Sequence, residues 1–265
     1  MIILITGVSS GFGKAVAQAL VANGHKVFGT VRRNVEPLEG VTYLQADVQD
    51  DSQISEAFNQ MMKLTEDRID VFINNAGIGI GGPIEFCKIE DIQKQMDVNF
   101  LGMVRWLSHV VPVMRKQSFG KILCISSIGG LIGLPYQGAY SASKFAIEGF
   151  CEALRLELLK SGVSVSLIEP GDFSTGFTAT RKSVDIETAT EAYPSYARSL
   201  ASIESDEKNG LSPDYLASRI CRIVEKKNPA YNYVVATFLQ RLAVFAKWLL
   251  PAPAFAWILS IYYKL

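Results

Sequence analysis

The chain has 265 residues, of which 49% are hydrophobic and 20% charged, so it can build a large core and general disorder is excluded. Lys+Arg and Asp+Glu number 26 each, and this balance gives no global attraction to nucleic acid. Four scattered cysteines and two histidines predict neither a disulfide framework nor a metal site, and they favour an intracellular, cytoplasmic protein with reduced thiols.

The chain begins with "MIILITG", an apolar strand with no basic region or cleavage site, so no signal peptide is expected. Short apolar runs then alternate with longer helical patterns. The predicted strands are 2–6, 26–31, 41–45, 69–74, 121–126, 163–169 and 231–236. The predicted helices are roughly 12–23, 52–65, 89–116, 138–161 and 213–227. This alternation predicts an α/β fold, a doubly wound (Rossmann-type) parallel sheet of about seven strands in a single domain spanning 1–265.

Two segments interrupt the alternation. A polar and aromatic stretch at about 174–211 is long enough to act as a lid or substrate loop, with helices inside it. The second is the strongly apolar tail 238–265. From Trp248 to Tyr263 the tail is uncharged, but these roughly sixteen residues fall short of the about twenty that span a bilayer. Pro251 and Pro253 would also break a helix within it.

The loop after the first strand reads "TGVSSGFG", with Gly7, Gly11 and Gly13 ahead of a helix. Glycines allow a tight turn and a close backbone approach, and a helix N-terminus attracts phosphate. The loop is not a Walker motif, because Ala15 follows Lys14 where a Ser or Thr would bind magnesium. The sequence therefore favours a dinucleotide site here over glycines that serve packing alone.

Polar residues follow other strands as well. Arg32 and Arg33 end the second strand, where arginine suits the 2′-phosphate of NADP and an acid would suit a 2′-hydroxyl. A solvated pair of surface arginines is the alternative. Asp47 follows the third strand, and "NNAG" at 74–77 follows the fourth, although such a stretch also makes an ordinary turn. Ligands of open α/β sheets bind at this edge.

The fifth strand ends in Ser126 and Ser127, and a helix beginning near 138 carries Tyr140 and Lys144 one turn apart. Such a pair is often an ordinary amphipathic face. With Ser127 nearby, a second interpretation is a proton-transferring phenol. An ammonium about 4 Å away would lower a phenol pKa by up to about three units at an effective dielectric of 20, toward neutrality.

The combination of TGxxxGxG (6–13), NNAG (74–77), Asn99 in "DVNFLG", Ser127, YxxxK (140–144) and "PG" (170–171) resembles the short-chain dehydrogenase/reductase family. The stretch "SIGGLIGLPYQGAYSASKFAIEG" is similar to members that act on steroids, retinoids and other long apolar alcohols. The resemblance implies an NADP-dependent oxidoreductase that interconverts an alcohol and a ketone or aldehyde on an apolar, lipid-like substrate.

The resemblance also implies residue roles. Tyr140 would transfer the proton, Lys144 would assist it and bind the nicotinamide ribose, Ser127 would bind the substrate oxygen, and Asn99 would hold a relaying water. No metal is implied. The residues expected to bind the cofactor are Gly7, Ser9, Ser10, Gly11, Phe12, Gly13, Arg32, Arg33, Asp47, Val48, Asn75, Ala76, Gly77, Tyr140, Lys144, Pro170, Gly171, Phe173 and Thr175.

Two other classes of protein are considered. A non-catalytic NADP-binding redox sensor would keep this fold, but such proteins lose catalytic residues that this chain retains. A membrane scaffold built on the tail would leave the catalytic set unexplained. The tail itself is expected to cover an apolar ligand or to rest in a membrane interface through Phe255, Trp257 and Tyr262, with core packing as the alternative. By resemblance, the helices near 89–116 and 138–161 would pair in a homo-oligomer, a dimer or a tetramer.

Overall fold

A seven-stranded parallel sheet forms the centre of the computed structural model, which describes the backbone of residues 1–265 and every side chain except that of residue 178. The strand order is β3-β2-β1-β4-β6-β7-β9. The strands are β1 Ile2–Ile5, β2 Lys26–Val31, β3 Val41–Gln45, β4 Val71–Asn74, β6 Gly120–Ile125, β7 Val163–Pro170 and β9 Asn232–Val235, with a second small sheet of β5 Ile80–Gly81 and β8 Lys182–Ser183. The predicted fold class is confirmed.

Helices cover both faces of the sheet. They are α1 Gly11–Ala22, α2 Asp51–Thr65, α3 Ile89–Met96, α4 Gly102–Gln117, α5 Gly138–Glu157, α6 Phe177–Thr180, α7 Ile186–Ala192, α8 Tyr196–Lys208, α9 Pro213–Glu225, α10 Phe238–Leu249 and α11 Ala252–Tyr262. Leu4 of β1 faces the core built with α2, α4 and α5, whereas Ile3 and Ile5 face α1 and α9. Because side chains alternate along a strand, β1 contributes residues to both cores, and its sequence is therefore apolar at every position.

The connectivity places a crevice at the centre of the sheet. From β1 the chain moves outward to β2 and β3, and it then crosses back to β4 on the other side of β1. Ligands of doubly wound sheets bind beyond the carboxyl ends of the strands at such a reversal. The fold therefore directs the loops after β1, β4, β6 and β7 toward one place.

The predicted helix 89–116 is three elements in the structure. Helix α3 passes into a π-helical turn, Asp97–Leu101, which leads into α4. Such turns insert one residue into a helix and frequently occur at functional sites. Asn99 lies in this turn.

The segment 174–211 contains α6, β8, α7 and α8. A small cluster of Ala189, Tyr196 and Leu200 packs it against Tyr136 and Phe86. The segment is therefore a folded structure joined to the body of the protein.

The tail forms α10 and α11. Pro251 separates the two helices and Pro253 lies in the first turn of α11, where a proline is tolerated because its missing N–H would have no helical partner. Among α10 and α11 only Gln240 and Phe255 are buried, so the tail is not core packing beneath the sheet. Of the helices that the structure describes, none has both the length and the hydrophobicity to cross a bilayer.

Candidate active site

A cavity of about 360 Å³ opens at the carboxyl edge of the sheet. Most of the residues predicted for the site line it, and these are Gly7, Ser9, Ser10, Gly11, Phe12, Arg32, Asp47, Val48, Asn75, Ala76, Gly77, Ser127, Tyr140, Lys144, Pro170, Gly171, Phe173 and Thr175. Gly13, Arg33 and Asn99 are not among its lining residues. The fold thus brings residues from the loops after β1, β2, β3, β4, β6 and β7, and from helices α1 and α5, to one cavity.

The glycine loop fits a dinucleotide phosphate. Gly7 and Gly11 have φ of 73° and 54°, in the left-handed region that favours glycine. A β-carbon on Gly13 would lie 2.0 Å from the carbonyl oxygen of Gly7, so Gly13 permits the tight turn without facing the cavity. Ser10 precedes α1 without a side-chain capping bond. The N-terminus of α1 and the side chains of Ser9 and Ser10 therefore lie at the cavity, where a helix N-terminus favours an anion.

Asn75 holds this loop against the end of β4. Its Nδ2 donates to the carbonyl oxygens of Thr6, at 2.9 Å, and Gly7, at 3.0 Å. Thr6 Oγ1 in turn accepts from the backbone N–H of Asn75 at 2.9 Å. The "NNAG" stretch is therefore part of the cavity wall and not an ordinary exposed turn.

Lys144 is almost fully buried, and its Nζ donates to the carbonyl oxygen of Ile125 at 2.9 Å. The ammonium lies 5.7 Å from the ring centroid of Tyr140. Burial lowers the pKa of Lys144 to about 8, and the negative charge of Glu148 opposes this shift. Lys144 is thus mostly charged at neutral pH, but its proton is less firmly held than that of a surface lysine.

The expected depression of the Tyr140 pKa toward neutrality is not what the structure shows. Burial raises the pKa of Tyr140 to about 12, and the neighbouring Ser127 hydroxyl offsets part of this effect. The sequence spacing predicted the Tyr140–Lys144 proximity but not the low dielectric around the phenol, which disfavours the phenolate. Tyr140 therefore carries its proton at neutral pH.

Ser127 stands at the end of β6 beside this pair. Its Oγ accepts from the backbone N–H of Gly129 at 3.0 Å and lies 3.4 Å from the carbonyl oxygen of Pro170, to which it can donate. Both Ser127 and Tyr140 line the cavity. Two hydroxyl groups are therefore available at the same wall for one substrate oxygen.

Asn99 anchors the neighbouring backbone from its π-helical turn. Its Oδ1 accepts from the N–H of Ile78 at 2.8 Å, and its Nδ2 donates to the carbonyl oxygen of Ile78 at 3.1 Å and to Ser143 Oγ at 3.0 Å. Ser143 immediately precedes Lys144, so Asn99 joins the loop after β4 to the helix that carries the lysine. Its role as the holder of a relaying water stays a prediction.

Sequence reasoning missed an acidic wall. Asp172, Asp206 and Glu207 line the cavity, and Glu207 forms an ion pair with Arg181. Burial raises the pKa of Asp172 to about 6, and the charges of Glu207 and Asp206 add to the shift. Asp172 directly follows the "EPG" strand end, which could have identified it, whereas the acids of α8 depend on how the segment 174–211 folds.

The end of the tail completes this wall. Tyr263 lines the cavity, and the hydroxyl of Tyr262 donates to Asp206 at 3.0 Å. Ser199 of α8 donates to the carbonyl oxygen of Tyr263 at 2.5 Å. Gln240 of α10 donates to the Asp172 carboxylate. The tail is therefore fixed to the acidic side of the cavity.

Comparison with known proteins identifies the class. The family model described as short chain dehydrogenase matches residues 1–185. The chain belongs to this family of oxidoreductases, and the predicted resemblance is confirmed.

Two relatives show the range of the similarity. A 3-ketodihydrosphingosine reductase of Bacteroides thetaiotaomicron is 46% identical over 265 residues, covering 100% of this chain and 98% of the relative. The human 17-beta-hydroxysteroid dehydrogenase type 1 is 39% identical over 192 residues, covering 66% of this chain and 58% of that enzyme.

Two solved structures show the same fold. A short-chain dehydrogenase from Streptomyces avermitilis has a TM-score of 0.82 at 26% identity, covering 99% of this chain and 96% of its own. ElxO with NADP bound has a TM-score of 0.72 at 27% identity, covering 88% of this chain and 96% of its own. Both similarities extend over most of the chain.

Proposed function

We propose that the protein uses NADPH to reduce a long-chain 2-amino ketone of the 3-ketodihydrosphingosine type to the corresponding alcohol. The observation that carries the proposal is a cavity lined both by Ser127, Tyr140 and Lys144 and by three acids, Asp172, Asp206 and Glu207. The full-length relative that is a 3-ketodihydrosphingosine reductase supports the choice of substrate class.

The cofactor is NADP(H). The glycine loop and the N-terminus of α1 would hold its pyrophosphate, and Arg32 would pair with the 2′-phosphate. No acid ends β2, where one would favour NAD. Lys144 would bind the nicotinamide ribose, and Thr175 lies on the same cavity wall for the carboxamide. When bound, the cofactor supplies the hydride that reduces the carbonyl carbon.

The protein supplies the proton and binds the carbonyl oxygen. Ser127 would donate a hydrogen bond to that oxygen, which stabilises negative charge as it develops. Tyr140 would transfer its hydroxyl proton to the same oxygen and complete the alcohol. Tyr140 is protonated at neutral pH, which is the form from which the phenol can donate a proton. The Lys144 ammonium would then stabilise the phenolate.

The acidic wall would recognise the substrate ammonium. A 2-amino ketone carries its cationic nitrogen one carbon away from the carbonyl, so both groups must bind within the same small cavity. Asp172 and Asp206 offer carboxylates there, and Glu207 is already paired with Arg181. A steroid or retinoid ketone has no cation to match this wall. The amino ketone is thus the better fit among the apolar carbonyl compounds.

Turnover of purified protein with NADPH tests the proposal. We expect reduction of 3-ketodihydrosphingosine at a higher kcat/KM than a deaminated ketone of equal chain length or a steroid ketone. Tyr140→Phe should lower kcat by about 10²–10⁴-fold while NADPH still binds, because the variant removes the proton donor and keeps the ring. Tyr136→Phe is the matched control, since its hydroxyl bonds to Ser195 and Tyr136 is not among the lining residues.

The same experiment separates the alternatives. A redox sensor without catalysis would bind NADPH and turn over none of the ketones. Near-normal kcat in Tyr140→Phe would reject the proton-transfer assignment, and a preference for the deaminated ketone would reject the substrate class.

Assembly and location are further proposals. Leu156 of α5 is 68% exposed and Phe145 of the same helix is also exposed, which supports pairing of this helix in a dimer or tetramer. Sedimentation equilibrium measures the mass, and a monomer would reject the pairing. Four free cysteines support the cytoplasmic location, which stays a prediction.

A further inference from the structure

The helices α10 and α11, residues 238–262, form a terminal hairpin with an unusual surface. Trp248 is 84% exposed, Phe238 81% and Trp257 66%. The other large exposed apolar residues of the hairpin are Leu239, Leu242, Phe245, Leu249, Ile258, Ile261 and Tyr262. Contiguous apolar surface of this extent marks an interaction site.

The exposed residues of α10 form a stripe. Phe238, Leu242, Phe245 and Leu249 follow spacings of three and four residues, which place them along one side of the helix. Gln240, the buried residue of α10, donates to the Asp172 carboxylate on the body of the protein. The side of α10 that carries Gln240 therefore faces the body, and the apolar stripe on the opposite side faces solvent.

The charge of the segment has one sign. Arg241, Lys247 and Lys264 are its cations, and no Asp or Glu occurs from 238 to 265. Arg241 is exposed beside the stripe, and Lys247 is exposed on the opposite side of α10, with its Nζ over the ring of Phe255. An apolar stripe in a segment whose charged side chains are all basic matches an anionic lipid surface in both its hydrophobic and its electrostatic parts.

A second copy of the chain is a poorer match. A two-fold contact through the stripe would bring the cations of one hairpin toward those of the other, with no acid in either segment to pair with them. Exposed tryptophans at the border of an apolar patch are instead typical of a membrane interface. Neither helix could cross the bilayer, so the hairpin would lie on it.

The hairpin is joined to the cavity. Tyr262 donates to Asp206, Ser199 donates to the carbonyl oxygen of Tyr263, and Tyr263 lines the cavity. These bonds fix the last turn of α11 to α8. A surface that binds the hairpin would therefore lie next to the cavity wall.

We propose that the terminal hairpin docks on an anionic lipid surface and places the cavity beside the bilayer. The docking itself is independent of the catalysed reaction. Delivery of an apolar ketone from the bilayer to the cavity is its consequence and rests on the proposed function.

Vesicle sedimentation without NADPH or substrate tests the docking. The full chain should bind vesicles of phosphatidylcholine with phosphatidylglycerol at least about tenfold more tightly than phosphatidylcholine alone, and salt should weaken this binding. Trp248→Glu and the pair Arg241→Glu with Lys247→Glu should each lower the affinity about tenfold or more. Ile89→Glu is the matched control, because Ile89 is an exposed apolar residue of α3 outside the hairpin.

NADPH binding by each variant shows that it is folded, and sedimentation equilibrium reports its mass. Equal binding to both vesicle types, or unchanged binding by Trp248→Glu, would overturn the proposal. A lower mass for Trp248→Glu with unchanged vesicle binding would identify a second copy as the occupant. Vesicle binding by a protein that reduces none of the ketones would support docking and reject the proposed function, so the two failures are distinguishable.

Discussion

Tyr140 and Lys144 share a cavity wall, and burial shifts their pKa values in opposite directions. The phenol is held protonated, with a pKa of about 12, and the ammonium is weakened, with a pKa of about 8. Both shifts disfavour the charged form in a low dielectric. Reduction of a carbonyl needs a proton donor, and a nearby cation assists it, whereas oxidation of an alcohol needs the phenolate as a base.

The two arginines at the end of β2 should contribute differently to the preference for NADPH over NADH. Arg32 lines the cavity and Arg33 does not. We expect wild type to prefer NADPH over NADH by at least about tenfold in kcat/KM, from a charge-assisted phosphate contact. Arg32→Ala should remove most of this preference, and Arg33→Ala, the matched control, should keep it. Equal kcat/KM for the two cofactors in wild type would contradict the assignment.

The acidic wall predicts a pH dependence of substrate binding. Asp172, with a pKa of about 6, is a carboxylate at pH 7 and mostly protonated at pH 5. The KM for a cationic amino ketone should therefore rise about tenfold as the pH falls from 7 to 5. The Asp172→Asn variant should have a higher KM at pH 7 and a flatter profile, while Glu204→Gln, which changes an exposed acid of α8, should follow wild type. An identical profile in Asp172→Asn would show that another group titrates.

At this scale the sequence predicted residues that follow strands and missed residues that depend on tertiary folding. Ser127 and Asn75 follow parallel strands, whose carboxyl ends must meet at one edge. Asp206 reaches the cavity only because α8 packs through Tyr196 and Leu200 against the body. Arg33 could not be separated from Arg32 by sequence, because adjacent residues at a strand end diverge in a way that only the backbone determines.

At the scale of elements, apolar periodicity located the helices but not their interruptions. The pattern across 89–116 is continuous, yet the structure inserts a π-helical turn at Asp97–Leu101. The turn contains Asn99, whose amide is fixed to Ile78 on another loop. A contact between distant segments selects this geometry, so local propensity could not reveal it. The predicted helix near 138–161 ends earlier, at Glu157.

Replacement of two helical glycines by alanine should change the free energy of unfolding in opposite directions. A β-carbon on Gly13 would lie 2.0 Å from the carbonyl oxygen of Gly7, whereas one on Gly149 in α5 meets nothing within 4 Å. Gly13→Ala should lower stability and NADPH affinity because backbone must move. Gly149→Ala should raise the free energy of unfolding by about 1 kcal/mol, from helix propensity alone. Urea denaturation and NADPH titration measure both. A Gly13→Ala protein of normal NADPH affinity would reject the tight turn as the reason for this glycine.

At the scale of the whole molecule, the sheet follows from strand–helix alternation, but the position of the tail does not. Hydropathy alone favoured cavity cover or membrane contact for the tail and kept core packing as the alternative. The structure leaves its apolar side chains exposed and uses Gln240, Tyr262 and Ser199 to hold it. Polar contacts between distant segments therefore fix the position of the tail.

The folded molecule also buries carboxyl groups behind the cavity. Glu148 and Glu169 are both almost fully buried, and one oxygen of each, Glu148 Oε1 and Glu169 Oε2, has no hydrogen-bond partner among the described residues. Burial raises the pKa of Glu148 to about 7, and the charge of Glu169 adds to the shift. The attraction of Lys144 opposes it but is smaller. Ionisation of Glu148 is thus unfavourable in the folded state.

This burial predicts how stability depends on pH. The folded protein holds the Glu148 proton up to about pH 7, whereas the unfolded chain releases it near its ordinary value of 4.5. Between these values the folded state binds more protons, so the contribution of Glu148 to stability is present at low pH and is lost as pH rises through 7.

Glu148→Gln keeps the shape of the side chain and removes its ionisation. The variant should match wild type near pH 4.5 and exceed it by up to about 3 kcal/mol above pH 7. Glu152→Gln, one turn along α5 and exposed, is the control and should follow wild type. Urea denaturation across this range measures the difference. A difference between Glu148→Gln and wild type that stays constant with pH would show that folding does not raise the pKa of Glu148.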